Sequence, residues 1–233
     1  MKLLERRRAA LVAALALFVV LCVAMPSVWH ADARISDVPV YERYGDAIER
    51  GSVPYRDFRP EYPPGALAAF AIPSLVSSGA VGYARAFGVE MALFGAACVV
   101  FTFLALRSLG ATRARLVVGI AVPVAAPLLL GPLVLTRFDL YAAALVAAAL
   151  AAFVAGRDRL GGAALGAAIA VKLFPAVLLP VAVAWTWKRR GRREALVVLA
   201  ICAGVAAAVF VPFLAIAPDG VAWSIWRQLG RPL

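Results

Sequence analysis

"TRFDLYAAALVAAALAAFVAGRDRLGGAALGAAIAVKLFP", Thr136 to Pro175, decides the fold. Between Asp139 and Arg157 it carries no charge, and alanine, leucine and valine follow one another without alternation. A membrane barrel strand would alternate polar and apolar residues. A backbone in lipid must satisfy its own hydrogen bonds, so this run reads as helix. Gly162 and Gly166, four apart, give a helix-packing signal and not a nucleotide site. Lys172 then stands in an apolar context, followed by Pro175, which removes a backbone donor and predicts a break.

The rest of the chain repeats this character. It has 233 residues, 64% of them hydrophobic, well above the share of a soluble domain. Several runs approach the roughly 20 apolar residues needed to span a bilayer. The expected fold is all-α: a polytopic transmembrane helical bundle, one integral membrane domain over 1–233. Cys22, Cys98 and Cys202 lie inside apolar runs and read as small core residues. A single histidine, His30, argues against a histidine-based metal site.

The net charge of +11 would suggest nucleic acid in a soluble protein. Here the basic residues gather at four places: Lys2 with Arg6, Arg7 and Arg8; Arg107 with Arg113 and Arg115; Arg157 with Arg159; and Lys188 to Arg193. Such clusters mark the cytoplasmic ends of membrane helices, so no nucleic-acid partner is expected. Placing all four inside predicts helices near 9–28, 87–106, 116–135, 140–155 and 195–217, with the N-terminus cytoplasmic. The first run is read as a membrane helix, a cleaved signal being the alternative. Residues 65–78 and 160–187 do not fit single crossings. Each is expected to be a re-entrant or interfacial element, or two short passes.

Residues 29–64 form the one sizeable polar segment, expected on the extracytoplasmic side. Val40, Tyr44 and Ile48 recur at helical spacing, and Gly51 is a plausible stop, which predicts a short amphipathic helix on the membrane surface with tyrosines at headgroup level. Asp32, Asp37, Glu42, Asp46, Glu49, Asp57 and Glu61 fall in this segment. Most read as solvated charges, with Asp46 and Glu49 on the polar face. Asp37 differs, because it precedes the amphipathic helix at the lipid–water boundary, where desolvation suits a general base. Lys172 is a functional candidate because a lysine in lipid is costly. Arg137, with Lys172, would suit a phosphate. Asp139 reads as a helix N-terminal acid, and Glu90 as a partner for Arg137 or Lys172. No phosphate-cradling glycine loop and no nucleophile elbow appears. No ligand spacing demands a metal, so no cofactor is expected, with a divalent cation left open.

"SDVPVYERYGDAIERGSVPYRDFRPEYPPGA", Ser36 to Ala66, together with the Thr136–Pro175 stretch, resembles the glycosyltransferase 87 family, long described as a domain of unknown function in bacterial membrane proteins. The family is of the GT-C class and includes a polyprenyl-phosphate-mannose-dependent mannosyltransferase. The resemblance implies a GT-C-like bundle in a bacterial cell membrane, with 29–64 as the catalytic loop. It implies an inverting hexosyltransferase, foremost a mannosyltransferase, taking a polyprenyl-phosphate-linked sugar to a lipid or glycan acceptor. Asp37 matches the general base. Arg137 and Lys172, with Arg56 and Arg59 behind them, are the donor-phosphate candidates. Asp57, Glu61, Tyr62, Tyr41 and Asp139 are the sugar or acceptor candidates. Members of the family are generally longer, so the chain is expected to be the N-terminal part of a larger GT-C fold. The rival readings are a transporter or flippase-like subunit, suited by a midplane lysine in a broken helix, and a non-catalytic membrane scaffold.

Overall fold

The computed structural model describes residues 2–28 and 36–230, and among these residues it contains eleven α-helices and no sheet. His30 and Asp32, named above, lie outside the described residues. In chain order the helices are α1 (Lys2–Val28), α2 (Val38–Glu49), α3 (Leu67–Val76), α4 (Gly79–Ser108), α5 (Arg113–Leu130) and α6 (Leu133–Thr136). They continue with α7 (Asp139–Val154), α8 (Asp158–Val171), α9 (Leu179–Arg190), α10 (Arg192–Ile216) and α11 (Pro218–Leu229). Helices α4, α5 and α10 are long and apolar enough to cross a membrane, and α1 and α7 carry shorter apolar stretches. Val12, Leu93, Val118, Val122 and Leu129 stand exposed on the bundle, as lipid-facing side chains do. The protein is an all-α membrane helical bundle. The three cysteines are free and buried.

The structure refines the expected spans where local chemistry overrides hydropathy. Helix α4 begins at Gly79, eight residues before the predicted 87, because its first turns pack on α3, where the Tyr83 hydroxyl donates to the Phe70 carbonyl at 3.1 Å. The predicted 116–135 helix ends at Leu130, since Gly131 at φ 57° and Pro132 break it and α6 follows as a separate turn. Residues 160–187 resolve into two short helices joined by a turn. Helix α8 ends at Val171 with Lys172 as its cap, a 3-10 turn spans Phe174–Leu178, and α9 returns. Arg190 on Asp158, at 3.2 Å, ties the open end of this hairpin. Lys172 on Asp139 ties its apex to the start of α7. Residues 65–78 instead form one ten-residue helix, α3, about 15 Å long and too short to cross.

Helix α2 is the expected amphipathic helix, and its apolar face packs on the rest of the chain. Its fully buried stripe is Val38, Tyr41 and Gly45, while Val40, Tyr44 and Ile48 are half-buried against the same core. The apolar face is covered by protein, chiefly α3. Gly45 is required because the Phe70 carbonyl and the Ser74 hydroxyl occupy the place of a Cβ. Asp46 is not merely solvated polar face, for it accepts a hydrogen bond from Ser74 Oγ at 3.1 Å. Gly51, at φ 82°, follows the helix as expected.

Helices α8 and α10 approach through the two glycines singled out in the sequence. A Cβ on Gly162 would lie 2.9 Å from the Val198 carbonyl oxygen, and one on Gly166 would collide with the Cys202 carbonyl. In lipid, helix pairs gain little from hydrophobicity and rely on such close backbone contact. Gly166→Val is therefore expected to destabilise by about 1–3 kcal/mol, since backbone cannot yield as a side chain can. A thermal-unfolding midpoint in detergent reads this out. Gly204→Ala is the control, since nothing lies near a Cβ there and its midpoint should hold.

Candidate active site

An aromatic cluster builds the floor of the site. Tyr41 of α2 stacks on Phe70 of α3 at 4.5 Å between ring centroids and lies 5.3 Å from Phe87 of α4. Phe138, in the turn before α7, meets Tyr41 edge-on at 5.7 Å and Tyr62 at 4.9 Å. Tyr41, Phe70, Phe87 and Phe138 are almost wholly buried. Edge-to-face and offset-stacked pairs of this kind are each worth about 0.5–1.5 kcal/mol beyond their burial. The cluster therefore fixes the polypeptide on both sides of Phe138, which carries Arg137 and Asp139.

Two ion pairs stand on this floor. Arg137 Nη1 lies 3.3 Å from Asp37 Oδ2. The Tyr41 hydroxyl donates to the same oxygen at 3.3 Å. Burial pushes the Tyr41 phenol far above its ordinary value, so it remains a donor. Both contacts to Asp37 fall on Oδ2, and among the described residues Oδ1 has none. Arg137 Nε is buried without a hydrogen-bond partner. On the other side of Phe138, Lys172 pairs with Asp139 and sits over the Phe138 ring, 5.2 Å from its centroid. Asp37, Tyr41, Arg137, Asp139 and Lys172, from three distant parts of the sequence, thus form one connected group. Its two acids and two bases balance. The charged side chains remain accessible, at 31% exposure for Asp37, 40% for Arg137 and 30% for Lys172.

Lys172 does not sit midway along a helix. It caps the C-terminal end of α8, beside the start of α7. Glu90 does not partner Arg137 or Lys172. It lies within α4, with Oε2 buried and unpartnered.

The remaining candidates belong to the loop before α3, whose Tyr62 ring packs on Tyr41 and Phe138. In "PYRDFRPEYPP", Tyr55 holds a left-handed conformation at φ 70°, and its hydroxyl donates to the Tyr62 carbonyl at 2.7 Å. Ser224 of α11 donates to that same carbonyl at 3.0 Å, Arg227 pairs with Glu61 at 3.4 Å, and Gln228 donates to the Glu61 carbonyl. Helix α11 thereby clamps the loop, a role for Ser224, Gln228 and Arg227 that carries no local sequence signal. Arg56 pairs with Asp57 at 2.9 Å, and Arg59 is exposed. The structure gives neither arginine a contact with Asp37, Arg137 or Lys172 among the described residues.

Asp57 also accepts from the Val53 backbone N–H at 2.8 Å. The Arg56 hydrogen bond first, and that N–H second, hold its carboxyl down at about 2. A depressed carboxyl stabilises its turn above the ordinary aspartate value, and that contribution fades as pH falls through about 2. The Asp57 carboxyl carbon shift is accordingly expected to stay flat across the ordinary carboxylate range. Among the described residues, no three His, Cys, Asp or Glu side chains gather so as to hold a metal ion.

Residues 61–231 match the family model described as Glycosyltransferase family 87. The match covers more than half of the chain and takes in Arg137, Asp139 and Lys172, with Asp37 upstream of it. No curated protein and no solved structure matches the chain.

Proposed function

This chain belongs to glycosyltransferase family 87 and is a membrane glycosyltransferase, and on that premise we propose that it transfers a hexose, foremost mannose, from a polyprenyl-phosphate donor to a lipid or glycan acceptor. The reaction takes place on the outer face of a bacterial cell membrane, with inversion at the anomeric carbon. The single observation that carries this is the Asp37–Arg137 pair beside Asp139–Lys172, a carboxylate with one open oxygen next to two cations.

In this mechanism Asp37 Oδ1 takes the proton of the acceptor hydroxyl as its oxygen attacks the anomeric carbon. The bond from that carbon to the phosphate oxygen breaks, and polyprenyl phosphate leaves with the electron pair. Its charge grows by one, and Arg137 and Lys172 meet that charge where it develops. The donor phosphate competes with Asp37 for Arg137 and with Asp139 for Lys172, so donor binding itself loosens the base. Tyr41, held by its aromatic neighbours, keeps Oδ2 anchored throughout. Tyr62, Glu61 and Asp57 line the side from which sugar hydroxyls approach, with Arg56 and Arg59 outside them.

Helix lengths support a lipid-borne donor. The 16 residues of α7 and 14 of α8 run about 24 Å and about 21 Å from the basic end of the bundle to the site. A hydrocarbon core is about 30 Å thick. A phosphate on a polyprenyl chain reaches that recessed level laterally, whereas a soluble nucleotide sugar would not.

The test is initial-rate sugar transfer by purified chain in liposomes containing polyprenyl-phosphate-mannose and a mixed lipid acceptor pool. Product with inverted anomeric configuration supports the proposal. Transfer from a nucleotide sugar but not from the lipid donor overturns it.

A further inference from the structure

The end of the bundle opposite the Asp37 group holds a second feature. A cavity of about 580 Å³ opens there between the start of α8, the end of α9 and the start of α10, and three arginines line it. Arg190 is engaged by Asp158 at 3.2 Å, and Arg159 by Glu194 at 2.8 Å. Arg157 is exposed and has no ion-pair partner among the described residues. Asp158 is 4% exposed, and its Oδ1 is buried without a partner. Lys188, Arg189, Arg192 and Arg193 flank Arg190 in the sequence, at the end of α9 and the start of α10. One arginine of the three, Arg190, is thus pinned by a buried carboxylate, Arg159 is held by the partly exposed Glu194, and Arg157 is left open to a ligand.

A second cavity, about 160 Å³, lies between α7, α8 and α9, and its lining is wholly apolar, including Leu150, Phe153, Val154, Leu165, Val181 and Trp185. The two adjoin. Val154 precedes Gly156 of the first cavity by two residues, and the Phe153 ring fills the space where Gly161 would carry a Cβ. Trp185 lies under the Arg189 guanidinium, 4.9 Å from it. Phe153 and Val154 stand about 21 Å along α7 from Asp139, so this groove belongs to the leaflet away from the reaction site.

We propose that these paired cavities are a binding site for an anionic phospholipid of that leaflet, its phosphodiester held by Arg157, Arg159 and Arg190 and one acyl chain laid in the Phe153–Trp185 groove. A basic pocket at the headgroup level of a helical bundle suits such lipids. A choline headgroup would bring its own cation against the arginines, so zwitterionic lipid is disfavoured. The site anchors the α8–α9 hairpin at its open end, the same hairpin whose apex carries Lys172.

The experiment titrates full-length purified chain in detergent with phosphatidylglycerol bearing brominated acyl chains and follows tryptophan quenching. Saturable quenching, lost in Trp185→Phe, is expected. Intact phosphatidylglycerol should displace the brominated lipid, whereas phosphatidylcholine and glycerol phosphate should not. Arg157→Gln should weaken binding about tenfold, the scale of one charge-assisted hydrogen bond. Arg113→Gln, an exposed arginine of another basic cluster, should change nothing. Equal displacement by phosphatidylcholine, or equal weakening by Arg113→Gln, would reduce the site to ordinary lipid solvation and overturn the proposal. Displacement by glycerol phosphate as good as by the intact lipid would overturn the role of the groove.

Discussion

Asp37→Asn is expected to lower the rate of sugar transfer by about 10²–10⁴-fold, the usual worth of a positioned general base. The amide keeps the size of the carboxylate and can still accept from the Tyr41 hydroxyl, so the aromatic floor should stay intact. It cannot take the acceptor proton. It also removes the negative charge that holds Arg137 at 3.3 Å, which frees that cation for the donor phosphate. The loss should therefore fall on kcat, with donor KM unchanged or lower. Initial rates in liposomes give both parameters, and a thermal midpoint in detergent shows whether the fold survives. A purely structural role for Asp37 predicts the reverse pattern, a lowered midpoint with residual activity scaling with folded protein. Full activity in the variant would remove Asp37 as the base.

The sequence shows the bundle clearly because its signals are local. Uncharged runs set the helices, arginine clusters mark their ends, and the spacing of Gly162 and Gly166 marks the α8–α10 contact. Other features escape for physical reasons. In α2 the Val40–Tyr44–Ile48 face packs on the core as expected, while the fully buried stripe beside it runs through Gly45, which contributes no hydrophobicity although its missing side chain is what admits α3. Lys172 stands far from the nearest charge in sequence. Its true neighbour is Asp139, 33 residues earlier, brought close by helices that end together. The pairing of Asp37 with Arg137, and the clamp of α11 on the Glu61–Tyr62 backbone, join segments too far apart for any periodicity to register. Residue types at the candidate site were thus legible one by one, while their assembly was a tertiary outcome.

Arg137→Gln and Asp139→Asn should shift donor affinity in opposite directions. The four charges Asp37, Arg137, Asp139 and Lys172 sum to zero. A phosphodiester donor adds one negative charge on binding, and bond cleavage moves a second onto the phosphate as Asp37 takes the acceptor proton. Removing Arg137 leaves the bound donor in a net negative site and takes away the cation nearest the base. Its loss is felt more in the transition state than in the ground state, so kcat should fall about 10²–10³-fold, the cost of deleting one oxyanion donor, with donor KM also raised. Asp139→Asn does the opposite to the field. It releases Lys172 and leaves a net positive site, so donor KM should fall while kcat changes little. Arg137→Lys retains the charge but loses the planar fork, and should recover part of the binding and less of the rate. Steady-state kinetics against the polyprenyl-phosphate donor at fixed acceptor separates these cases. If Arg137→Gln and Asp139→Asn moved KM in the same direction, the paired charges would be holding the fold and not the phosphate, because only an anionic ligand responds with opposite sign to the loss of a cation and the loss of an anion.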